Sequence, residues 1–423
     1  MSKNMKSFND ILSKVIETDQ DNVLLTAQQG DAESQFVLGN NYFDGEGVKQ
    51  DHQEAAKWWL KAAEQGHPVA QFNIGSCYAF GDGVKQDSKE AMNWWRKSAE
   101  QGLSQAQYMI GLSYAVGDDV EQDYQEAVKW LRKSAEQNHA EAQYYLGVSY
   151  FNGYGVKQDF QEAINWWRKS DQNGYAEAGF GLANCYFHGR GVKQDRQEAI
   201  RFFRKSANEG FVESQFILGC CYFQGEGVKQ DRQEALNWWR KAAEQGHAEA
   251  QFDLAELYAK GNSVKKNNKE ANKWYRKAAE QGHAEAQFEL GRYYVSGPGR
   301  ARNYQEGFSW ILKAANQGYA EAQYFLGECY FLGKGVEKDD QASAKWYKAA
   351  ALQGHAEAQH SLGLCYIYGR GVDKDPEEGV KWLSKSAEQG SFGSVLSLLH
   401  VQDELQEDKS KKQKKNNKNK KGK

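Results

Sequence analysis

The side chains best suited to chemistry recur at a fixed interval and do not form one cluster. Five of the six cysteines and five of the nine histidines are separated by multiples of 36 residues. They are Cys77, Cys185, Cys221, Cys329 and Cys365, and His67, His139, His247, His283 and His355. Metal ligands lie about 2 Å from a shared ion, whereas stacked helices are about 8–10 Å apart. The interval favours capping or packing histidines and buried, reduced thiols over a metal centre or a disulfide frame.

Catalytic motifs are absent or lie in the wrong setting. The S-x-x-K pattern of serine acyl-enzymes occurs once, from Ser263 to Lys266, without the accompanying S-D-N and K-T-G motifs. It lies in a predicted loop, not on a helix. No P-loop, H-E-x-x-H or C-x-x-C motif is present. We therefore expect no enzymatic activity, no cofactor and no metal.

A 36-residue repeat accounts for this regular spacing. Aligned on the motif A-E-A-Q, ten copies span residues 31–390 and are called repeats 1–10 here. The glutamine position reads Gln35, Gln71, Gln107, Gln143, Gly179, Gln215, Gln251, Gln287, Gln323 and Gln359. We number other positions of the first helix from this residue. Because the glutamine lies on the recurrent side of that helix, we expect it to have a buried hydrogen-bond partner.

Each repeat is predicted to form two helices. The first ends at a G-x-G turn, and the second begins at an Asp or Asn cap, as in the D-x-x-E of Asp51 and Glu54. The second helix ends at a glycine or, once, at Asn138, which also accepts the left-handed conformation. All 13 tryptophans occupy two adjacent positions of the second helix, which predicts a core stripe rather than a ligand-stacking ladder.

The recurrent strings AEAQFELG, Y-x-x-G-x-G-V-x-x-D-x-x-E-A-x-x-W and K-A-A-E-Q-G-H resemble the Sel-one-like repeat (SLR) family, which is related to tetratricopeptide repeats. The resemblance covers 360 of 423 residues. It implies an all-α fold, a right-handed α-solenoid (superhelix) of ten helix-turn-helix units with a partial capping unit. It also implies a non-enzymatic protein-interaction scaffold or adaptor. A β-lactamase-like hydrolase, as described for some cysteine-rich relatives, is an alternative.

The regions outside the repeats are predicted to cap the array or to be a tail. We expect an N-terminal capping segment over 1–30, a partial C-terminal repeat over 391–405 and a disordered lysine-rich tail over 406–423. Residues 409–423 carry nine lysines and no acid, so residues 1–408 carry a net charge of −12 within the chain total of −3. Lys411, Lys412, Lys414 and Lys415 are candidate contacts to a nucleic acid or an anionic surface, the alternative function.

No signal peptide or transmembrane segment is predicted from the sequence. We therefore expect a cytoplasmic monomer, or alternatively a protein translocated without a cleaved signal peptide.

Partner binding is predicted where the repeats differ. Positions +2, +5 and +9 vary most and share one side of the first helix; we call this side the variable face. By the family resemblance it lines the concave surface. Six apolar residues of repeats 2–4 on this face form the predicted patch: Phe80, Met109, Leu112, Val116, Tyr145 and Val148. The alternative is that curvature buries this face against itself.

Two other groups on the variable face are predicted to be structural. We expect Phe325, Leu332, Leu364 and Tyr368 to pack against the C-terminal sequence VLSLL. We expect the acidic residues Asp253, Glu256 and Glu289 to be neutralised by neighbouring bases, with Lys260 pairing with Glu256 and Arg292 with Glu289.

Overall fold

The computed structural model describes residues 22–117, 120–261, 264–297 and 302–401. Within these ranges every regular element is a helix. Ten helix pairs, numbered α1–α20, are flanked by helical residues 22–28 and 392–401. The first helices are α1 (Ala32–Asp44), α3 (Pro68–Phe80), α5 (Ser104–Val116), α7 (Ala140–Asn152), α9 (Ala176–His188), α11 (Val212–Gln224), α13 (Ala248–Lys260), α15 (Ala284–Ser296), α17 (Ala320–Leu332) and α19 (Ala356–Tyr368). The second helices are α2 (His52–Glu64), α4 (Ser88–Glu100), α6 (Tyr124–Glu136), α8 (Phe160–Gln172), α10 (Arg196–Asn208), α12 (Arg232–Glu244), α14 (Asn268–Glu280), α16 (Tyr304–Asn316), α18 (Asp340–Leu352) and α20 (Pro376–Glu388).

The helices belong to two compact parts, one up to Gln230 and the other from Asp231 onward. Within each part, most first helices pack against the second helix of their own repeat and against the second helix of the preceding repeat. The predicted all-α solenoid of two-helix repeats is confirmed.

Helix ends follow the predicted local signals. Asp51 Oδ1 accepts hydrogen bonds from the backbone N of Gln53 and of Glu54 at 3.0 and 3.1 Å, which satisfies two free donors of α2. Asn138 has a φ of 66° and is the single non-glycine residue with positive φ among the described residues. The second glycine of the G-x-G turn has an additional role, because a Cβ at Gly83 would collide with the carbonyl of His52 in the preceding repeat.

Recurrent polar side chains join the two helices of a repeat to each other and to the preceding repeat. Gln71 is buried, and its Nε2 donates to Ala63 O at 3.1 Å while its Oε1 accepts from Gln101 Nε2 at 2.8 Å. Equivalent bonds recur along both parts, so the predicted buried partner of the glutamine is confirmed. We call this series the amide ladder.

The repeated histidines act as helix caps. His67 Nδ1 accepts from Ala70 N at 3.1 Å, and the ring stacks on Phe36 at 4.6 Å. The other four repeated histidines cap their helices in the same way, so the predicted capping is confirmed.

The tryptophans lie mainly in the core, as predicted. Nine of the 13 are buried, and Trp58, Trp130, Trp310 and Trp346 are half-buried. In most repeats a lysine three residues later lies over the ring at the first tryptophan position, as Lys61 does over Trp58 at 3.8 Å.

Candidate partner-binding face

The six residues of the predicted patch lie on three successive first helices, α3, α5 and α7, and differ in accessibility. Phe80 and Val116 are the last residues of α3 and α5, and 71% and 57% of their surfaces are exposed. The other four, Met109, Leu112, Tyr145 and Val148, are half-buried. Position +9 is therefore the accessible part of this patch.

Position +2 takes part in packing between repeats. Met109 packs against a buried cluster that includes Trp95 and Ile110. Tyr145 packs against the next cluster, and its ring lies 5.9 Å from that of Tyr108. The expectation that this face has no packing role is therefore wrong for these two residues, because position +2 faces the neighbouring repeat.

The residue at position +5 varies together with the residue that it faces on the second helix of the same repeat, and in several repeats the two form a hydrogen bond. Trp59 Nε1 donates to Asn40 Oδ1 at 3.0 Å, and Tyr275 OH donates to Glu256. Trp95 with Ser76, and Tyr347 with Glu328, repeat the arrangement. In repeats 3 and 10 the second-helix position is Leu131 or Leu383, and position +5 is Leu112 or Leu364. Sequence reasoning missed this pairing, although the two positions vary together in repeats 1, 2, 3, 7, 9 and 10.

Position +9 is exposed in every repeat from 2 to 10. Four of these residues are apolar: Phe80, Val116, Leu332 and Tyr368. The C-terminal segment was expected to cover Leu332 and Tyr368, but they are 50% and 45% exposed. That expectation is wrong for these two residues because each side chain lies at a helix end, beyond the reach of the terminal helical segment's contacts.

The other two residues of that group are half-buried. Leu364 packs against a cluster containing Leu398 and the buried Val401, as expected for contact with the C-terminal segment. Phe325 instead packs on Phe288, with ring centroids 5.9 Å apart.

The acidic residues Asp253, Glu256 and Glu289 on the variable face of repeats 7 and 8 are largely neutralised, as predicted. Glu256 forms an ion pair with Lys260, and Glu289 pairs with Arg292 at 2.5 Å. Asp253 has no such close base, and burial raises its pKa to about 6, with the Glu249 carboxylate adding to the rise and His283 opposing it. A self-neutralised surface is therefore the better description of this region.

The repeated cysteines are unsuited to nucleophilic chemistry. All five are buried, and burial raises the pKa of Cys77 to about 11 and that of Cys329 to about 12. Among the described residues, no group of histidine, cysteine and acidic side chains could hold a metal ion. Ser263 and the tail lysines Lys411, Lys412, Lys414 and Lys415 lie outside the described residues. No helix in the described ranges is long and apolar enough to cross a membrane.

Comparison with known proteins identifies the repeat. The Sel1 repeat model matches ten consecutive segments: 32–67, 68–103, 104–139, 140–175, 176–211, 212–247, 248–283, 284–319, 320–355 and 356–391. A search of curated proteins finds no match.

Two solved structures share both sequence and fold with this chain. One is a protective antigen of uropathogenic Escherichia coli strains that displays an SLR fold; it is 32% identical over 91% of this chain and 90% of its own, with a TM-score of 0.60. The other is a Sel1 repeat protein from Oxalobacter formigenes, 32% identical over 58% of this chain and 96% of its own, with a TM-score of 0.53. Ten matched segments, joined by the amide ladder and the capping histidines, show that this chain belongs to the Sel1 repeat family.

Proposed function

We propose that this protein is a non-enzymatic scaffold or adaptor that binds a protein or peptide partner on the variable face of repeats 2–4. Sel1 repeat proteins generally mediate protein interactions. The patch of Phe80, Met109, Leu112, Val116, Tyr145 and Val148 is the proposed contact region, with Phe80 and Val116 as its anchors. We propose that this surface is the concave one, as the family resemblance implies.

The exposure of Phe80 and Val116 carries the proposal. They occupy the same position in consecutive repeats, and 71% and 57% of their surfaces are accessible. Burying exposed apolar surface contributes about 25 cal/mol per Å², and neighbouring exposed apolar residues mark interaction sites. The four half-buried residues beside them supply an apolar floor that is held in place by the core.

The charge pattern indicates what kind of partner fits. In repeats 2–4 none of the nine variable-face positions carries a charged side chain. A partner that offers apolar side chains and few charges therefore matches this surface, and its affinity should depend little on salt. An aromatic or aliphatic anchor of the partner would pack between Phe80 and Val116.

A selected peptide ligand tests the proposal. Peptides from a random library would be selected on the wild-type protein, and their affinity measured for the double variant Phe80→Asp/Val116→Asp. We expect at least about a tenfold loss of affinity, because two apolar anchors would be replaced by hydrated carboxylates. Met109→Asp is a poor test because Met109 packs against the core and its loss would perturb folding.

The control uses the same position in repeats where it is polar. Gln224→Asp/Ser296→Asp adds the same two charges at position +9 of repeats 6 and 8, outside the proposed site, and should leave the affinity for the peptide unchanged. Both double variants should retain the wild-type helicity and melting temperature, since all four side chains are exposed. Equal binding of the selected peptides to both variants would place the partner site elsewhere.

A further inference from the structure

A cleft of about 900 Å³ lies between the loops of repeats 9 and 10, in the second part of the molecule. Its lining includes four acidic residues and one base: Glu337, Asp339, Asp340, Asp373 and Lys338. Tyr330, Val336 and Val372 add apolar surface. The cleft residues belong to the second part of the molecule, whereas the variable face of repeats 2–4 belongs to the first.

The acidic lining departs from the pattern of the other repeats. At the position of Glu337 and Asp373, six repeats have lysine: Lys49, Lys85, Lys157, Lys193, Lys229 and Lys265. Asp340 is also exceptional, since no other repeat has an acid at that position. The side chain at this loop position is therefore negatively charged in the last two repeats, whose loops enclose the cleft, and positively charged in most of the others.

Most of these acidic side chains do not cap a helix or form a close ion pair within the described part of the chain. Asp339 caps α18 by accepting from the backbone N of Gln341 and Ala342, both at 2.9 Å. Glu337 and Asp373 are exposed and form no ion pair with any described residue. The buried Asp340 Oδ1 accepts no hydrogen bond in the described structure, and Lys338 Nζ lies 3.6 Å from it. The exposed carboxylates of Glu337 and Asp373 therefore have capacity for a cation.

The chain leaves the described structure close to this cleft. Val401 is 2% exposed and packs in a cluster with Ile367 and Leu383. Ile367 is two residues before Gly369, which lines the cleft. Lys411 comes ten positions after Val401, and an extended segment of that length reaches about 33 Å. The tail from 409 to 423 holds nine lysines and no acid, so its charge is complementary to that of the lining.

We propose that the lysine-rich tail of this chain binds in the cleft between the loops of repeats 9 and 10. The tail lysines pair with Glu337, Asp340 and Asp373, and the aliphatic parts of their side chains contact Val336 and Val372. The attachment is electrostatic, so it weakens as the ionic strength rises. An anionic partner of the tail would have to compete with these carboxylates.

Limited tryptic digestion of the full-length protein tests this proposal, because trypsin cleaves after the tail lysines and a bound tail is protected. Glu337→Lys should accelerate removal of the tail about threefold, which is the scale of one surface ion pair. The variant restores the lysine that six other repeats carry at this position, so the fold should tolerate it. In 0.5 M NaCl, wild type and variant should be cleaved at the same rate.

Glu121→Lys is the matched control, because Glu121 occupies the same loop position in repeat 3 and the change in net charge is identical. Its tail should be cleaved at the wild-type rate. Equal cleavage of all three proteins at low salt would overturn the proposal. Equal acceleration by both variants would also overturn it, since that result reports net charge and not the cleft.

Zero-length coupling of carboxylates to amines gives an independent measurement. We expect cross-links from Lys411, Lys412, Lys414 or Lys415 to Asp340 or Asp373, and fewer of them in Glu337→Lys. A mixture of isotope-labelled and unlabelled protein identifies the source of the tail. Cross-links that join labelled to unlabelled chains would assign the cleft to a second copy. A tail that binds RNA but gives no cross-link to the cleft would favour the nucleic-acid function. Either result would overturn docking within one chain.

Discussion

Repeats 1–6 and repeats 7–10 have the same backbone frame but differ in how the interhelical loop is held. In each of repeats 1–6 a loop glutamine donates to a main-chain carbonyl of the first helix, as Gln50 Nε2 does to Phe43 O at 2.8 Å. The six glutamines are Gln50, Gln86, Gln122, Gln158, Gln194 and Gln230. Repeats 7–10 have a base there: Lys266, Arg302, Lys338 and Lys374. A neutral side chain that hydrogen-bonds to the first helix is thus replaced by a charged one, and the helix lengths stay the same.

The variable face shows the same contrast. In repeats 1–6 its only carboxylate is Asp44 and its only base is His188, whereas repeats 7–9 carry six charged residues. These are Asp253, Glu256, Lys260, Glu289, Arg292 and Glu328. The recurrent positions therefore specify the fold, and the exposed, variable positions give the two regions different chemistry. Substitutions at shared and at differing positions should therefore affect the stability of the protein to different extents.

The largest effect is expected where the two regions share the frame. A Cβ on Gly75 would lie 2.6 Å from Trp95 Cδ1, and one on Gly327 would lie 2.6 Å from Tyr347 Cδ1. Gly75→Ala and Gly327→Ala should each destabilise the protein by about 2–3 kcal/mol through overpacking. Urea unfolding measures this, with the exposed Glu64→Ala as the control. A large effect for one glycine and none for the other would show that the regions do not share this frame.

A smaller effect is expected at repeat 5, where the amide ladder is interrupted. Gly179 replaces the ladder glutamine, and the buried Asp171 pairs with Lys205 at 2.7 Å. Lys205→Met should destabilise the protein by about 1–2 kcal/mol, because the Asp171 carboxylate would be left unpaired. The expected loss is smaller than for a fully buried ion pair because Lys205 is partly exposed to solvent. The double variant Asp171→Ala/Lys205→Met should recover most of that loss, since the unpaired charge is gone.

Lys169→Met is the matched control for this experiment. Lys169 holds the same position in repeat 4 but lies over the Trp166 ring at 4.0 Å. Its removal should change stability by less than about 1 kcal/mol. If Lys169→Met and Lys205→Met were equally destabilising, the ion pair would have no special role.

Acidification should affect the two regions in opposite directions at two named residues. Burial lowers the pKa of His139, with Glu141 opposing the shift, so the folded state resists protonation. Its contribution to stability is therefore lost as the pH falls below about 6.5, the value for an unperturbed histidine. Burial raises the pKa of Asp253 to about 6, so the penalty for its charge is present above pH 6 and is relieved as the pH falls below it.

Urea midpoints at pH 7.5 and pH 5.0 separate these two contributions. His139→Asn keeps a capping side chain and should reduce the loss of stability on acidification. Asp253→Asn should raise stability at pH 7.5 more than at pH 5.0. Variants that shift the midpoint equally at both pH values would show that neither residue titrates in the assigned direction.

The smallest effect is expected in the loops that distinguish the two regions. Gln158→Lys gives repeat 4 the base found in repeats 7–10 and removes the 2.8 Å bond from Gln158 Nε2 to Phe151 O. We expect a loss of about 0.5 kcal/mol, because the bond is exposed to water. Lys338→Gln, the reverse exchange, should be neutral or slightly stabilising, as judged by hydrogen exchange in each loop. A loss above about 2 kcal/mol in either variant would show that the loop residue is part of the frame.

Much of the fold could be predicted because each structural position is sampled ten times in one chain. A position that is nearly always Gly, Asp or Gln reports a backbone or hydrogen-bond requirement, and Asn138 among glycines identified one such requirement correctly. Accessibility could not be predicted in the same way. Helical periodicity places Met109 and Val116 on one face, but the contact with the neighbouring repeat buries part of the first and leaves the second exposed.

Substitutions in different helices that compensate for one another could not be recognised from the sequence either. Asp171, Gly179 and Lys205 come from three different helices, and each looks like an isolated departure from its own repeat position. The fold brings the Asp171 carboxylate to Lys205, in the space that a glutamine side chain in place of Gly179 would otherwise need. The pairing of position +5 with its contact residue on the second helix could have been predicted, because these two positions vary together in repeats 1, 2, 3, 7, 9 and 10.

The interruption of the amide ladder also has a mechanical consequence. When the ends of a repeat array are pulled, successive repeats separate at their joints, and most joints here are held by neutral amide bonds such as the one from Gln107 Nε2 of repeat 3 to Ala99 O of repeat 2 at 3.1 Å. The joint between repeats 4 and 5 is held by the ion pair of Asp171 and Lys205. Salt screens this pair but not its neutral neighbours. Under tension, the force needed to break this joint should therefore decrease as the ionic strength increases.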